Sequence, residues 1–390
     1  MSVEGEADGN SLARTPTEPA PAARSEQGTG RPRRRVNPRL ASALLVIGSV
    51  LLTLGVLEIG IRLLRGGPQA LIQWPNFPAV RMGISDQGGG ACAYAYDATL
   101  GWTLPPSCQV SSLSTDAQGF RRTPDGAFTG RPAVLATGSS FTQGEEVADD
   151  EAWPAQLQSI VGRKVVNGGV SGYAFDQAVL YTERMVPAVG PRLVVIGFTP
   201  DDVRRSELAE AWSRQKPYFT VTDGRLELRN VPVPGQLRAS LPTLGRLFGW
   251  SALAEELTQR LGMQRGWYFD EVQGAPPGSG EEIACLLMAR LAGLGVPVML
   301  LSQYSRGYAM ADAAGKDRDR RTVAKVLGCA TAAGLIAFDL AEPLQAAIAQ
   351  RGVDALYRTD HHSAEGNRVV AEAIRGELVR RRLLAVDSDR

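Results

Sequence analysis

One serine and two histidines set the terms for any chemistry in this 390-residue chain. Ser140 lies in Ala133-Val-Leu-Ala-Thr-Gly-Ser-Ser-Phe-Thr-Gln-Gly144, where a short apolar run ends abruptly in Gly138-Ser139-Ser140 and a polar, Glu-rich segment with helix-start character follows. The pattern reads as strand, tight turn, then helix. A serine placed there stands at the carboxyl end of a strand with its hydroxyl exposed and the next helix's N–H groups pointing towards it, which suits a nucleophile. The chain's only histidines, His361 and His362, are adjacent. If an imidazole activates Ser140, one of them must supply it. They lie in Tyr357-Arg-Thr-Asp-His-His-Ser-Ala-Glu-Gly-Asn367, with Ser363 placed to cap the closing helix. Asp360 precedes His362 by two residues, and in an extended loop such residues project to the same side. The spacing therefore predicts that Asp360 orients His362 while the other ring nitrogen faces the serine. The same carboxylate serves His361 less naturally, because adjacent residues point apart.

These residues need a frame that gathers distant loops. Apolar runs at 133–137, 164–167, 193–198, 296–301 and 335–338 alternate with helical periodicity at 153–161, 175–186, 202–213, 281–294, 320–333, 340–350 and 364–384. Such alternation predicts an α/β fold, a three-layer sandwich with a mainly parallel sheet of about five strands. Two further loops follow strands: Asn167-Gly-Gly-Val-Ser-Gly-Tyr173, whose glycines allow close backbone approach to a ligand, and Phe198-Thr-Pro-Asp-Asp202. Open α/β sheets gather ligands at that edge, so Ser140, Gly172, Asp201 and the histidine pair can converge. Asp202 reads as a loop or N-cap residue, Asn167 and Gly168 as turn formers, and Phe141, Trp153 and Tyr173 as core or pocket wall. Residues 216–280 break the rhythm as an insertion, with a hairpin about Asp223-Gly224. It is a candidate lid or substrate wall.

With these four loops in view, the sequence from about residue 101 to 384 resembles the SGNH/GDSL hydrolase superfamily. Gly138-Ser-Ser140 matches the Gly-Asp-Ser block, 167–173 the glycine block, 198–202 the Asn-Asp block, and the histidine pair the closing block. The resemblance implies a flavodoxin-like α/β/α sandwich. It also implies a Ser140 nucleophile, an oxyanion hole from the backbone N–H groups of Ser140 and Gly172 with a third contribution at Asp201, and a closing His with a nearby Asp. No cofactor or metal is implied. The sequence departs from the family at Ser139, which replaces the aspartate before the nucleophile, and at Asp201, which replaces an asparagine. An ionised carboxylate only accepts hydrogen bonds and repels an oxyanion, so Asp201 must be protonated, swing aside or take another role. Counting back from Gly366 favours His361 as the family histidine, whereas pairing with Asp360 favours His362. The preference here is His362, because a base needs an orienting partner.

The rest of the chain bounds the setting. Net charge is +1, with nothing to suggest nucleic acid. Residues 1–38 are rich in Pro, Ala, Gly, Ser, Thr and charge and are expected to form a disordered tail. Residues 39–65 contain a charge-free run from Leu40 to Leu57 that is long enough to span a bilayer. Arg31, Arg33, Arg34, Arg35 and Arg39 precede the run and only Arg62 and Arg65 closely follow it, which places the tail in the cytoplasm and the remainder outside. Residues 66–131 read as a linker and lead-in, and 132–390 as the hydrolase-like domain. Cys92 and Cys108 flank a loop and could pair in an oxidising compartment, while Cys285 and Cys329 sit in helical patterns and read as core thiols. The combined expectation is a single-pass, membrane-anchored serine esterase acting on O-acyl groups of an envelope or extracellular polysaccharide, or on a lipid ester. An O-acyltransferase on the same scaffold and a non-catalytic glycan-binding domain are the alternatives.

Overall fold

The computed structural model describes residues 37–78, 92, 94–110, 112–126, 128, 132–212, 214–235, 242–263, 267 and 271–383. Most of the expected tail, part of the expected linker and Leu384 lie outside the described residues. The first element is helix α1, Pro38–Gly66, of 29 residues. Its most apolar 18-residue window has a mean hydropathy of 2.5 and is nowhere buried, so this helix is long and apolar enough to cross a membrane. The chain divides into two compact units, Met1–Gly55 and Val56–Arg390.

Five strands, β1 (Val134–Gly138), β2 (Val165–Gly169), β3 (Leu193–Phe198), β4 (Val298–Ser302) and β5 (Ile336–Asp339), form one sheet in the order β5-β4-β3-β1-β2. Every pairing is parallel. This is the flavodoxin-like arrangement, and the strand order reverses beside β1. Residues of β1, β3 and β4 are buried along their whole length. Strands covered on both faces read in sequence as unbroken apolar runs, which is why each expected strand matches to within two residues. Successive residues of β1 serve opposite faces: Val134 and Ala136 join the main core, whereas Leu135 packs with Val170, Tyr173 and Tyr181.

The helices that follow are α2 (Ser140–Gln143), α3 (Trp153–Val161), α4 (Phe175–Val189) and α5 (Pro200–Arg205), then α6 (Thr243–Phe248) and α7 (Ala252–Arg260) in the insertion. The sandwich is completed by α8 (Gly280–Ala292), α9 (Ala313–Ala332), α10 (Ala341–Arg351) and α11 (Ala364–Arg380). The helix expected over 202–213 is cut short, since α5 covers only Pro200–Arg205. The chain leaves α5 after Arg205, and Leu208–Ala211 pairs in a small antiparallel sheet with Arg214–Gln215 and Val272–Gln273. Pairing with a strand of the insertion and with Arg214–Gln215 overrides helical spacing there. The hairpin is present as Tyr218–Thr222 against Arg225–Arg229, with Asp223 and Gly224 both at positive φ.

The lead-in packs against the sandwich through Leu100, Trp102 and Phe120. Cys92 is bonded to Cys108, and Cys285 of α8 to Cys329 of α9. The expectation of core thiols at Cys285 and Cys329 is therefore corrected. Each lies on a helix face that periodicity marks as inward, and α8 packs on α9 so that their Cα atoms are 5.2 Å apart, within disulfide reach.

Candidate active site

The turn that carries Ser140 rests on a row of glycines. Gly138 of β1 is level with Gly169 of β2 and with Gly197 of β3. A Cβ at Gly138 would lie 2.5 Å from Thr142 Oγ1, one at Gly169 would lie 2.1 Å from Gln143 N, and one at Gly197 would lie 2.4 Å from Thr142 Oγ1. The missing side chains let α2 lie directly on the carboxyl edge of the sheet. Ser139 caps this short helix by its backbone, its C=O accepting from Thr142 N at 3.1 Å and from Gln143 N at 2.9 Å. Ser139 Oγ donates to Asp202 Oδ2 at 2.8 Å. Asp202 also accepts from Thr199 N–H at 2.8 Å, closing a capping box at the start of α5. Ser139 thus ties the turn to the neighbouring loop; Thr199 is the N-cap of α5, and Asp202, expected as a loop or N-cap residue, is its third helical residue and closes the box from within.

Arg121, from the lead-in, locks the far side of the turn. Its guanidinium is buried and donates to the carbonyls of Gln143, Gly144, Val147 and Ser112 and to the Asp149 carboxylate. All five N–H groups are used.

Ser140 Oγ lies 2.8 Å from Nε2 of His361. His361, and not the preferred His362, is the imidazole that reaches the serine. Its ring tilts against Phe141 and is mostly shielded from solvent. His362 makes no hydrogen bond to Ser140 among the described residues and is buried, with Phe141 and Tyr357 against its ring. Burial, reinforced by the charge of His361, pushes the His362 pKa down to about 3, so its ring is neutral in the fold. The local backbone explains the choice. Tyr357 and His362 form an antiparallel bridge, and His361 O accepts from Arg358 N at 2.8 Å. The segment is thus a tight turn, and the extended-loop rule that paired Asp360 with His362 does not apply.

The expected orienting role of Asp360 is likewise corrected. Its carboxylate is turned towards the Gly307 N–H, its C=O accepts from Arg306 N at 2.9 Å, and it makes no hydrogen bond to either imidazole among the described residues. The carboxylate facing His361 Nδ1 is that of Glu146, with Oε2 at 3.9 Å. Glu146 Oε2 also accepts from the backbone N–H groups of Thr359 at 3.0 Å and of Asp360 and His361 at 3.4 Å each. Burial opposes its charge, but the imidazole and the backbone donors outweigh burial and hold its carboxyl at about 2. For His361, burial lowers the pKa, and Glu146, Glu145 and Asp360 more than offset it, so the imidazole titrates above its ordinary value.

Sequence reasoning missed Glu146 because Glu145-Glu146 reads as the start of a helix. In the structure α2 has already ended at Gln143, Gly144 is left-handed, and Glu146 itself has φ +70°. The one signal was Gly144, a stop placed directly after the helical residues.

The loop after β2 is the next one along the carboxyl edge of the sheet. Gly172 has φ +80°, and its N–H finds no acceptor among the described residues. Ser171 N–H donates to Gln143 Oε1 at 2.7 Å and Ser171 Oγ to Glu145 Oε2 at 2.6 Å, which ties this loop to the turn after Ser140. The N–H of Ser140 opens α2 and has no intrahelical acceptor. Asp201 contributes nothing of this kind. Its carboxylate is engaged by Arg204, at 2.8 Å, and by Arg205. Burial raises its pKa, but the two guanidinium groups outweigh burial and keep it ionised. The expected oxyanion contribution from Asp201 is replaced by an ion-pair role on α5. The arrangement can therefore deprotonate a serine hydroxyl, and the Gly172 N–H is left without a protein acceptor among the described residues. No group of three or more potential metal ligands occurs among the described residues.

No family model matches the chain, and no curated protein matches it closely. Similar solved structures include a putative lipolytic protein of the G-D-S-L family from Desulfitobacterium hafniense, at 16% identity over 62% of this chain and 96% of that one, TM-score 0.34. TesA is similar at 14% identity, covering 64% of this chain and 99% of that one, TM-score 0.38. The acetylxylan esterase Axe2 from Geobacillus stearothermophilus is similar at 15% identity over 63% and 94%, TM-score 0.37. At TM-scores this low the reading of the site rests on its own geometry.

Proposed function

We infer that the chain is a serine ester hydrolase held at a membrane by α1. The observation that carries this reading is the 2.8 Å approach of His361 Nε2 to Ser140 Oγ at the carboxyl edge of the sheet, beside the topological switch point. Neutral His361 takes the proton of Ser140 as Oγ attacks an ester carbonyl, and the N–H groups of Ser140 and Gly172 hold the developing oxyanion. The imidazolium, stabilised by Glu146, returns the proton to the leaving alkoxide. Water then attacks the acyl-serine with His361 again as base, releasing the acid.

The surroundings favour an uncharged ester. Glu145, Glu146 and Asp360 all act on His361 and make the cleft acidic, which disfavours phosphorylated or carboxylated acyl donors. An exported site tethered to the bilayer meets O-acetyl and similar groups on envelope or extracellular polysaccharides, and we place the substrate among these, with a neutral lipid ester as the other member of the class. The test is hydrolysis of p-nitrophenyl acetate and of an O-acetylated polysaccharide by the detergent-solubilised full chain. Ser140→Ala should lower kcat/KM by roughly 10⁴-fold or more while leaving the circular dichroism unchanged. Equal rates for the two proteins would overturn the proposal.

A further inference from the structure

The part of the insertion that carries α6 and α7 is bolted to the last turns of α1. Glu58 accepts from the hydroxyl of Ser251 at 2.8 Å and from the N–H groups of Ala252 and Leu253 at 2.8 and 2.9 Å, so a side chain of α1 caps the start of α7. Arg62 donates to the carbonyl of Trp250 and to those of Ala70 and Gln73, and it stacks on Trp74 with 3.9 Å to the ring centroid. Arg65 pairs with Glu256. On its inner side α6 is held by Asn76, whose Nδ2 donates to Gly245 O at 3.0 Å, and by Phe77 N, which donates to Gly249 O at 2.9 Å.

Among the described residues nothing covers the outer side. Leu244, Leu247 and Phe248 recur at helical spacing on α6, Trp250 follows, and Leu257 and Leu261 continue a stripe along α7. Their exposure runs from 49% at Leu257 to 67% at Leu261. Six large apolar side chains clustered in 18 residues of sequence are not the scattered exposure of an ordinary surface.

Their position identifies the occupant. Glu58 is the first charge after the apolar run of α1, so in a membrane-spanning α1 it marks the level at which the helix leaves the hydrocarbon. Ser251, Ala252 and Leu253 are hydrogen-bonded to that same carboxylate and must lie at the same level. A tryptophan with flanking leucines and arginines at that depth suits the bilayer interface. We propose that α6 and α7 form an interfacial foot, a second membrane contact whose apolar side rests in the leaflet that α1 enters. The proposal rests on the reading of α1 as a span.

The test uses the full chain in phospholipid vesicles. Because all four native cysteines are paired, a cysteine placed at Leu247 is the only thiol for an environment-sensitive NBD label. The matched control is Val379→Cys on α11, an equally exposed apolar site. Brominated phosphatidylcholine should quench the Leu247→Cys label about twofold or more, with blue-shifted emission, and leave the control label unchanged. If the protein floats with the vesicles and resists carbonate extraction but both labels behave alike, the foot is wrong and the anchor stands. Protein that separates from the vesicles overturns both. A blue shift that is insensitive to brominated lipid but depends on protein concentration would assign the surface to a second copy of the chain instead.

Discussion

His361 sits between a hydroxyl and an acidic wall, and its two ring nitrogens meet different demands. Nε2 must be unprotonated to accept from Ser140, and the neighbouring carboxylates raise the pKa of that same ring. Activity should therefore rise with pH along a limb whose midpoint lies above the ordinary histidine value of about 6.5. Glu146→Gln removes the charge facing Nδ1 and weakens the grip on the 359–361 turn. It should move the limb to lower pH and cut kcat/KM by about 10²-fold. An unchanged limb, measured on p-nitrophenyl acetate, would remove Glu146 from the mechanism. His362 behaves in the opposite way. Its folded pKa, about 3, is below the unfolded value near 6.5, so between those limits the unfolded chain binds more protons and stability falls as pH drops. The loss should approach about 1.4 kcal/mol per pH unit below 6.5. His362→Phe should flatten the acid limb of a melting-temperature profile, whereas His361→Asn should not. The sequence made the histidine pair visible because the chain has only two histidines, and Ser140 visible because it ends an apolar run in an ordered series of loops. It could not rank the two imidazoles, because the decision lies in one turn bridging Tyr357 to His362 and in a glutamate at positive φ, neither of which leaves a periodic trace.

Among the elements, the edge of the sheet is the most demanding. Gly169→Ala would drive a methyl group into the backbone of Gln143, so the turn that carries Ser140 has to move. Esterase activity should fall far more than secondary structure does. The insertion is fastened as well as attached: Lys216 Nζ donates to Asp176 Oδ2 at 2.9 Å and to Leu208 O at 3.0 Å, with both charged side chains fully buried. Burial raises the pKa of Asp176 and lowers that of Lys216, and each is held by the other. Lys216→Met leaves a buried carboxylate alone and should cost roughly 3–5 kcal/mol in urea unfolding, most of which Asp176→Leu in the same chain should restore. A loss confined to the single variant supports the pairing; equal losses in both would deny it. Strands and most helices were legible because sandwich packing writes apolar runs and 3.6-residue periods. The misread stretch at 202–213 shows the limit, since Leu208–Ala211 takes its form from partners at Arg214–Gln215 and Val272–Gln273. Helix α9 begins seven residues before its visible period, on a polar turn capped by Asp312.

For the molecule as a whole, compartment and stability are linked. Two disulfides, one closing the lead-in and one joining α8 to α9 across 44 residues, suit an oxidising compartment. Reduction of the Cys285–Cys329 bond should remove about 4 kcal/mol through the entropy of the unfolded chain, and a Cys285→Ala, Cys329→Ala chain should melt correspondingly lower. That bond escaped sequence reading because the two cysteines meet only once two helices pack. The apolar helix α1 was legible at its full length, because length and composition alone mark a helix able to cross a bilayer. The account as a whole depends on one contact, and fluorophosphonate labelling of the full chain, with the modified peptide mapped by mass spectrometry, addresses it directly. The label is expected on Ser140 of the wild type, lost in Ser140→Ala and in His361→Asn, and retained in His362→Phe. A folded wild type that takes no label, or a label that survives His361→Asn and disappears in His362→Phe, would contradict the account.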